Sequence, residues 1–167
     1  MGERRWRAAL PSDLKTIARW VDSPTSLTRW AGPDLTWPTD GPTLWQELEG
    51  GATPTFCVAE GPLPAAFGQL IQKGPRHWHL ARIIVDPARR REGLGEQLCR
   101  ALLQEAHARH AEHVTLNVFA DNAAAIPLYR RLGFVAHGEV DTRGIVPMHL
   151  RQFAAHDGDN QAPGEPA

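Results

Sequence analysis

One stretch constrains this chain more than any other: Ile83-Ile84-Val85-Asp86-Pro87-Ala88-Arg89-Arg90-Arg91-Glu92-Gly93-Leu94-Gly95. The apolar, β-branched run reads as a buried strand, and Pro87 closes it. A basic turn punctuated by two glycines follows. An amphipathic helix begins at once, with Leu94, Leu98, Leu102 and Ala106 at four-residue intervals and Cys99 and Leu103 beside them. The first amides of such a helix lack intrahelical partners, and its dipole is positive at that end. Three adjacent arginines add fixed charge. The junction is an anion cradle, and a phosphorylated ligand is its natural occupant.

Patterns on either side predict the remaining elements. Arg4 to Leu10 reads as a first strand. Pro11-Ser12 opens a helix with Ser12 as N-cap and Leu14, Ile17, Ala18 and Val21 on one face. Residues 22–42 are rich in Pro, Thr, Gly and Trp and leave room for short helical pieces only. A second short helix is expected over Thr43–Glu49. Thr55–Glu60 and Ala65–Gln72 flank the turn Gly61-Pro62-Leu63-Pro64 as a hairpin, and Arg76–Val85 is the next strand. After the long helix, about 93–110, come the strand Val114–Phe119 and a helix over Ala123–Leu132, with Asn122 as N-cap and Gly133 as C-cap glycine. Phe134–Gly138 and Ile145–Arg151 close the domain. The order is that of a mixed α/β domain without internal repeats.

Bulk properties narrow the function. With 167 residues, 42% hydrophobic and 22% charged, one soluble domain is expected. A net charge of −1 argues against a general nucleic-acid binder. No apolar run approaches a membrane span. Two cysteines, Cys57 and Cys99, do not make a disulfide scaffold, and no apolar leader follows the first residues, so a cytoplasmic location is expected. His77 and His79, and His107, His110 and His113, recur without the Cys or carboxylate partners of a zinc motif, so no metal is expected.

Three phosphate-loop patterns compete at the glycine turn. A Walker loop needs Gly-x-x-x-x-Gly-Lys and is absent. A dinucleotide fingerprint needs a third glycine where Leu98 stands and an earlier place in the chain. What remains is Arg90-x-x-Gly93-x-Gly95 after a strand. Together with Leu116-Asn117-Val118, Asn122-Ala123-Ala124-Ala125 and Leu128-Tyr129-Arg130-Arg131-Leu132-Gly133-Phe134, this pattern resembles the GCN5-related N-acetyltransferases (GNAT) over roughly residues 65–150.

The resemblance implies a single α/β domain over residues 1–152. Its mixed, mostly antiparallel sheet of about seven strands is flanked by about four helices, with strands four and five splayed around an acyl-CoA. Residues 153–167 would form a disordered tail, for they have almost nothing to bury. Acetyl-CoA is the implied co-substrate. Its pyrophosphate suits the amides of Arg91, Glu92, Gly93, Leu94, Gly95 and Glu96, with Arg89, Arg90 and Arg91 alongside. Its pantetheine arm would pair with Ile83, Ile84 and Val85 like an added strand. Asn117, Asn122 and Tyr129 complete the implied cofactor contacts.

The family's reaction is direct attack of an amine on the acyl thioester. Tyr129, the single tyrosine, occupies the position that protonates the departing sulfur, a transfer uphill by only about 1.5 units for unperturbed groups. Many members carry a glutamate where this chain has His79. An imidazole is a better base at neutral pH than a carboxylate; His79 as direct base, as a base acting through water, or as a cleft-lining polar group all stay open. The resemblance places the acceptor beneath the segment between the first strand and the hairpin. Trp30 and Trp37, framed by proline, suit an apolar wall, though core packing explains them equally. Gln69, Asp34 and Asp40 are candidate partners for an ammonium, and Arg82 for a carboxylate. The expected partner is an amine-bearing small molecule or a peptide N-terminus, and a homodimer is compatible with the resemblance. The alternative is a non-catalytic acyl-CoA-binding or sensor domain of the same fold.

Overall fold

The structure, a computed structural model, describes residues 2–150. The expected tail lies outside the described residues. Seven strands form one sheet in the order β1-β2-β3-β4-β5-β7-β6. They are β1 (Arg4–Ala8), β2 (Thr55–Glu60), β3 (Leu63–Gly74), β4 (His77–Val85), β5 (His113–Phe119), β6 (Phe134–Ala136) and β7 (Ile145–Leu150). All neighbours are antiparallel except β4 and β5. That parallel pair needs a crossover, which α4 (Leu94–Ala108) supplies. The hairpin turn is tighter than the sequence suggested. Leu63 and Pro64 belong to β3, and Gly61, with φ at +56°, makes the reversal.

Two apolar cores lie on opposite faces. On one, α4 and α5 (Ala125–Arg131) bring Leu94, Leu98, Leu102 and Tyr129 against Leu70, Trp78, Leu80, Leu116 and Met148. On the other, α1 (Asp13–Ala18), α2 (Pro24–Ala31) and α3 (Gly41–Glu47) bury Leu14, Ile17, Leu27 and Leu44 against Cys57 and Phe67. Among the described residues there are five α-helices rather than about four. The additional one is α2, inside the Pro- and Trp-rich segment. Ser23 caps it by accepting from the Ser26 amide at 3.0 Å, and Pro24 takes its first turn. Asp40 caps α3 in the same way at 2.8 Å, starting it two residues earlier than expected.

Ser12 is not the cap of α1: it is itself helical and makes no capping bond. Asp13 holds that corner instead. Its buried carboxylate accepts from the Leu10 amide at 2.7 Å and from both Arg7 terminal nitrogens at 2.7 and 2.8 Å. Asn122 does accept from the Ala125 amide at 3.2 Å, and Gly133, with φ at +99°, ends α5. No helix among the described residues is long and apolar enough to cross a membrane.

Candidate active site

The parallel ladder between β4 and β5 is short: His77 to Leu80 on one strand pair with His113 to Leu116 on the other. Beyond that the strands part. A cleft of about 480 Å³ opens there, lined by Ile83, Ile84 and Val85 of β4, by Arg90, and by Asp121, Asn122, Ala123 and Ala124 of the β5–α5 loop, with Arg29 reaching in from α2. The sequence pointed to Ile83, Ile84, Val85, Arg90 and Asn122. It gave no sign of Arg29. That side chain donates to Asp121 at 2.6 Å and lies 4.2 Å from the centre of the Phe119 ring, so it ties α2 to the β5 arm of the cleft. A pairing between residues 92 positions apart leaves no local signal.

Beyond Arg90 the chain turns into α4, and residues 91–96 are not among those that line this cleft. Arg91 and Gly93 both take left-handed backbone conformations, with φ at +66° and +76°. No side chain caps the helix, so its first amides stay open to a ligand. A Cβ on Gly95 would stand 3.4 Å from Leu128 and 3.7 Å from Val85, so glycine here lets α4 start close against α5 and β4. The three arginines are not equivalent. Arg89 is tied to Glu60 at 2.8 Å and to Glu92 at 3.0 Å, in a network that Arg4 joins. Those contacts hold Arg89 firmly protonated and both glutamates below the usual carboxylate range. Arg89 is therefore a strut of the turn. Arg90 and Arg91 have no ion-pair partner among the described residues and are the cations left for an anion. Glu92 is held to the turn through its side chain, which accepts from Arg89 and Arg4.

A bulge shapes the middle of β4. Phe67 pairs with Ile84 and Gln69 with Ala81, so one step of two residues on β3 faces a step of three on β4. Arg82 occupies the bulge with φ at +53°. Its carbonyl accepts from the Trp30 indole at 2.8 Å, which pins α2 to the strand, and Trp30 also meets Phe67 edge-on. Its guanidinium donates to Gln69 at 2.8 Å and reaches the Ala31 carbonyl. Gln69 is fully buried, and its amide nitrogen is spent on the Leu48 carbonyl and the Thr55 hydroxyl at 2.8 and 2.9 Å. Its amide oxygen accepts from Arg82, so Gln69 aims that guanidinium from within the core. Arg82 itself has no carboxylate within ion-pair distance among the described residues. Burial lowers its pKa, and Glu49 opposes this only at longer range. Trp37 is 37% exposed.

Tyr129 is buried in the α4–α5 core, edge-on to Phe134, and is not part of the cleft lining. Burial raises its pKa, with the Cys99 thiol adding to the shift. Its phenol has no hydrogen-bond partner among the described residues. Asn117 is exposed and faces away from that core, opposite Pro147. His79 lies where β4 and β5 are still paired, and its Nδ1 is 2.8 Å from the Thr115 hydroxyl. Burial lowers its pKa to about 4, with Lys73 and His77 contributing.

A three-residue seam between parting parallel strands, ending at an uncapped helix start, suits an extended ligand with an anionic end. Residues 20–134, more than half of the chain, match the Acetyltransferase (GNAT) family, and the chain belongs to that family. Spermine/spermidine N(1)-acetyltransferase of Bacillus subtilis is 37% identical over 73 residues, 43% of this chain and 47% of that protein. The [ribosomal protein bS18]-alanine N-acetyltransferase of Escherichia coli is 47% identical over 55 residues, 33% of this chain and 37% of its own length. The matches thus span less than half the length of these curated relatives. A putative acetyltransferase from Salmonella typhimurium, solved with its cofactor acetyl-CoA, shares the fold. Its TM-score is 0.69 at 17% identity, over 96% of this chain and 98% of that one.

Proposed function

We propose that this protein transfers an acetyl group from acetyl-CoA to a primary amine by direct attack within a ternary complex. The observation that carries this reading is the seam at Ile83–Val85, which has no β5 partner and leads, through the turn at 86–93, to the uncapped start of α4. An extended pantetheine fits the seam as a strand would, and a pyrophosphate fits the amides, Arg90 and Arg91. The cleft residues are right for the group in kind as well as in shape. Gly93 leaves open space at the turn, and the cations not engaged in the turn lie at the anionic end.

In this reading the amine enters from the face covered by α1–α3. Arg82, an unpaired cation on that face, favours an acceptor that carries a carboxylate near its amine over a polyamine. His79 takes the ammonium proton. Attack on the thioester carbon forms the new C–N bond and expels the CoA thiolate. Tyr129 protonates that thiolate. Its raised pKa keeps it protonated at every working pH, and the dry surroundings that raise it also destabilise the thiolate it serves. The decisive experiment follows CoA-thiol release over a panel of amino acids, their decarboxylated amines, polyamines and peptides. Release with an amine, and an acetylated product of matching mass, supports the reading. Tight acetyl-CoA binding without release from any amine leaves the non-catalytic alternative.

A further inference from the structure

A chain of hydrogen bonds leads away from the closed end of the cleft. His77 and His79 lie two apart on β4, so they share a face, with Trp78 turned into the opposite core. Across the parallel ladder His79 stands opposite Thr115, and His77 opposite His113. His79 Nδ1 is 2.8 Å from Thr115 Oγ1, and His77 Nε2 is 2.7 Å from the same oxygen. A hydroxyl has one proton. Placed between two imidazoles, it can donate to one ring while it accepts from the other, an arrangement that couples the rings. His77 is the first residue of β4, the end farthest from the anion cradle, and it meets the exposed His113 at 6.5 Å between ring centres.

We propose that His79, Thr115 and His77 form a proton relay that carries the acceptor's proton out of the cleft to solvent at the opposite end of β4. The inference rests on the acetyl-transfer reading. At rest His79 carries its proton on Nδ1 and donates to Thr115 Oγ1, while Thr115 donates to His77 Nε2. The acceptor ammonium gives a proton to His79 Nε2. His79 passes its Nδ1 proton to Thr115, and Thr115 passes its own to His77 Nε2. His77 then sheds its Nδ1 proton to water, so one proton enters and one leaves. The relay resolves a difficulty with His79 as a lone base. A histidine whose charge is disfavoured by burial accepts a proton briefly but holds it poorly. Lys73 of β3 adds to that pressure on His79. Other charged or titratable groups on this face are Arg82, at the bulge of the same strand, His113 of β5, and His149 of β7, which stands opposite Thr115 and stacks on His137.

The test pairs a readout of the resting relay with one of its use. Nitrogen-15 NMR of the imidazoles in the full chain is expected to show His79 protonated on Nδ1 and His77 accepting on Nε2. The opposite tautomers overturn the relay. Thr115→Val is expected to lower the maximal rate of thiol release about 100-fold with CoA affinity unchanged. Its pH–rate profile should shift alkaline, and added imidazole should restore part of the rate. Thr115→Ser should stay within about threefold of the wild type. A productive wild type whose Thr115→Val variant keeps its rate and pH profile overturns the relay and leaves acetyl transfer standing. A wild type that acetylates no amine overturns both.

Discussion

The two halves of β4 obey different rules. From His77 to Leu80 the strand is paired on both sides, and side chains define what it does: two histidines, a threonine across the ladder, and Trp78 and Leu80 in the core. From Arg82 to Val85 it has β3 on one side only, and in the proposed reaction its backbone is the working part. A half that acts through its backbone can accept any apolar, β-branched sequence. A half that acts through side chains depends on particular ones. In this fold the shared step of a reaction, holding a common donor, can fall to the first kind of structure. The variable step, handling a particular acceptor, can fall to the second.

Substitutions can break that division, and the largest effect is expected at Tyr129. Tyr129→Phe should lower thiol release on the order of 100-fold or more while CoA affinity and melting temperature stay nearly unchanged, because the phenol has no protein partner to lose. Single-turnover kinetics beside calorimetric CoA titration would show it; equal losses in both would mean that Tyr129 binds rather than reacts.

The next effect concerns pH and the paired half. Folding lowers the pKa of His79 to about 4, so between the ordinary histidine value and 4 the unfolded chain binds the extra proton. Stability is unaffected above pH 6.5 and falls as pH drops towards 4, by on the order of 2–3 kcal/mol. Urea denaturation of wild type and His79→Gln across that window should give a flatter curve for the variant.

The splayed half is tested through its floor. Gly95→Val puts methyl groups where Leu128 and Val85 already stand, at a cost of about 1–3 kcal/mol, and should weaken CoA binding about tenfold. Gly95→Ala, which meets ordinary contact distances, should do far less. The smallest effect separates neighbouring arginines. Arg90→Ala should raise the CoA dissociation constant about fivefold and flatten its salt dependence. Arg89→Ala should change affinity less than about twofold, because Arg89 already has Glu60 and Glu92. Equal losses at both positions would refute the assignment of Arg89 as a strut.

What was legible in the sequence divides along the same line. The strand–turn–helix junction could be read because strand period, proline, glycine and helix period change within thirteen residues, each for a local reason. Asn122 and Gly133 were readable for the same reason. The error at Ser12 came from a local rule overridden at a distance of a few residues: Asp13 offers a stronger acceptor, and Arg7 locks it in place. Helix α2 carried its own signal in Ser23-Pro24, hidden by the prolines that follow. The roles of Gln69, Arg89 and Arg29 were not readable at all. Each depends on a partner brought near by the tertiary fold: Arg82, Glu60 and Asp121.

The residue that Arg82 adds to β4 has a consequence beyond its own contacts. Upstream of it, even-numbered side chains face α4; downstream, odd-numbered ones do, so that Ile83 and Val85 join the core of Trp78 and Leu80 while Ile84 joins the other. The bulge is a change of phase. It explains how an uninterrupted apolar run can furnish both layers of the domain at once, and why length matters more than identity at this point. A substitution at position 82 alters one side chain. A deletion there would be a frameshift in three dimensions, exchanging the two faces for every residue between the bulge and the end of the strand.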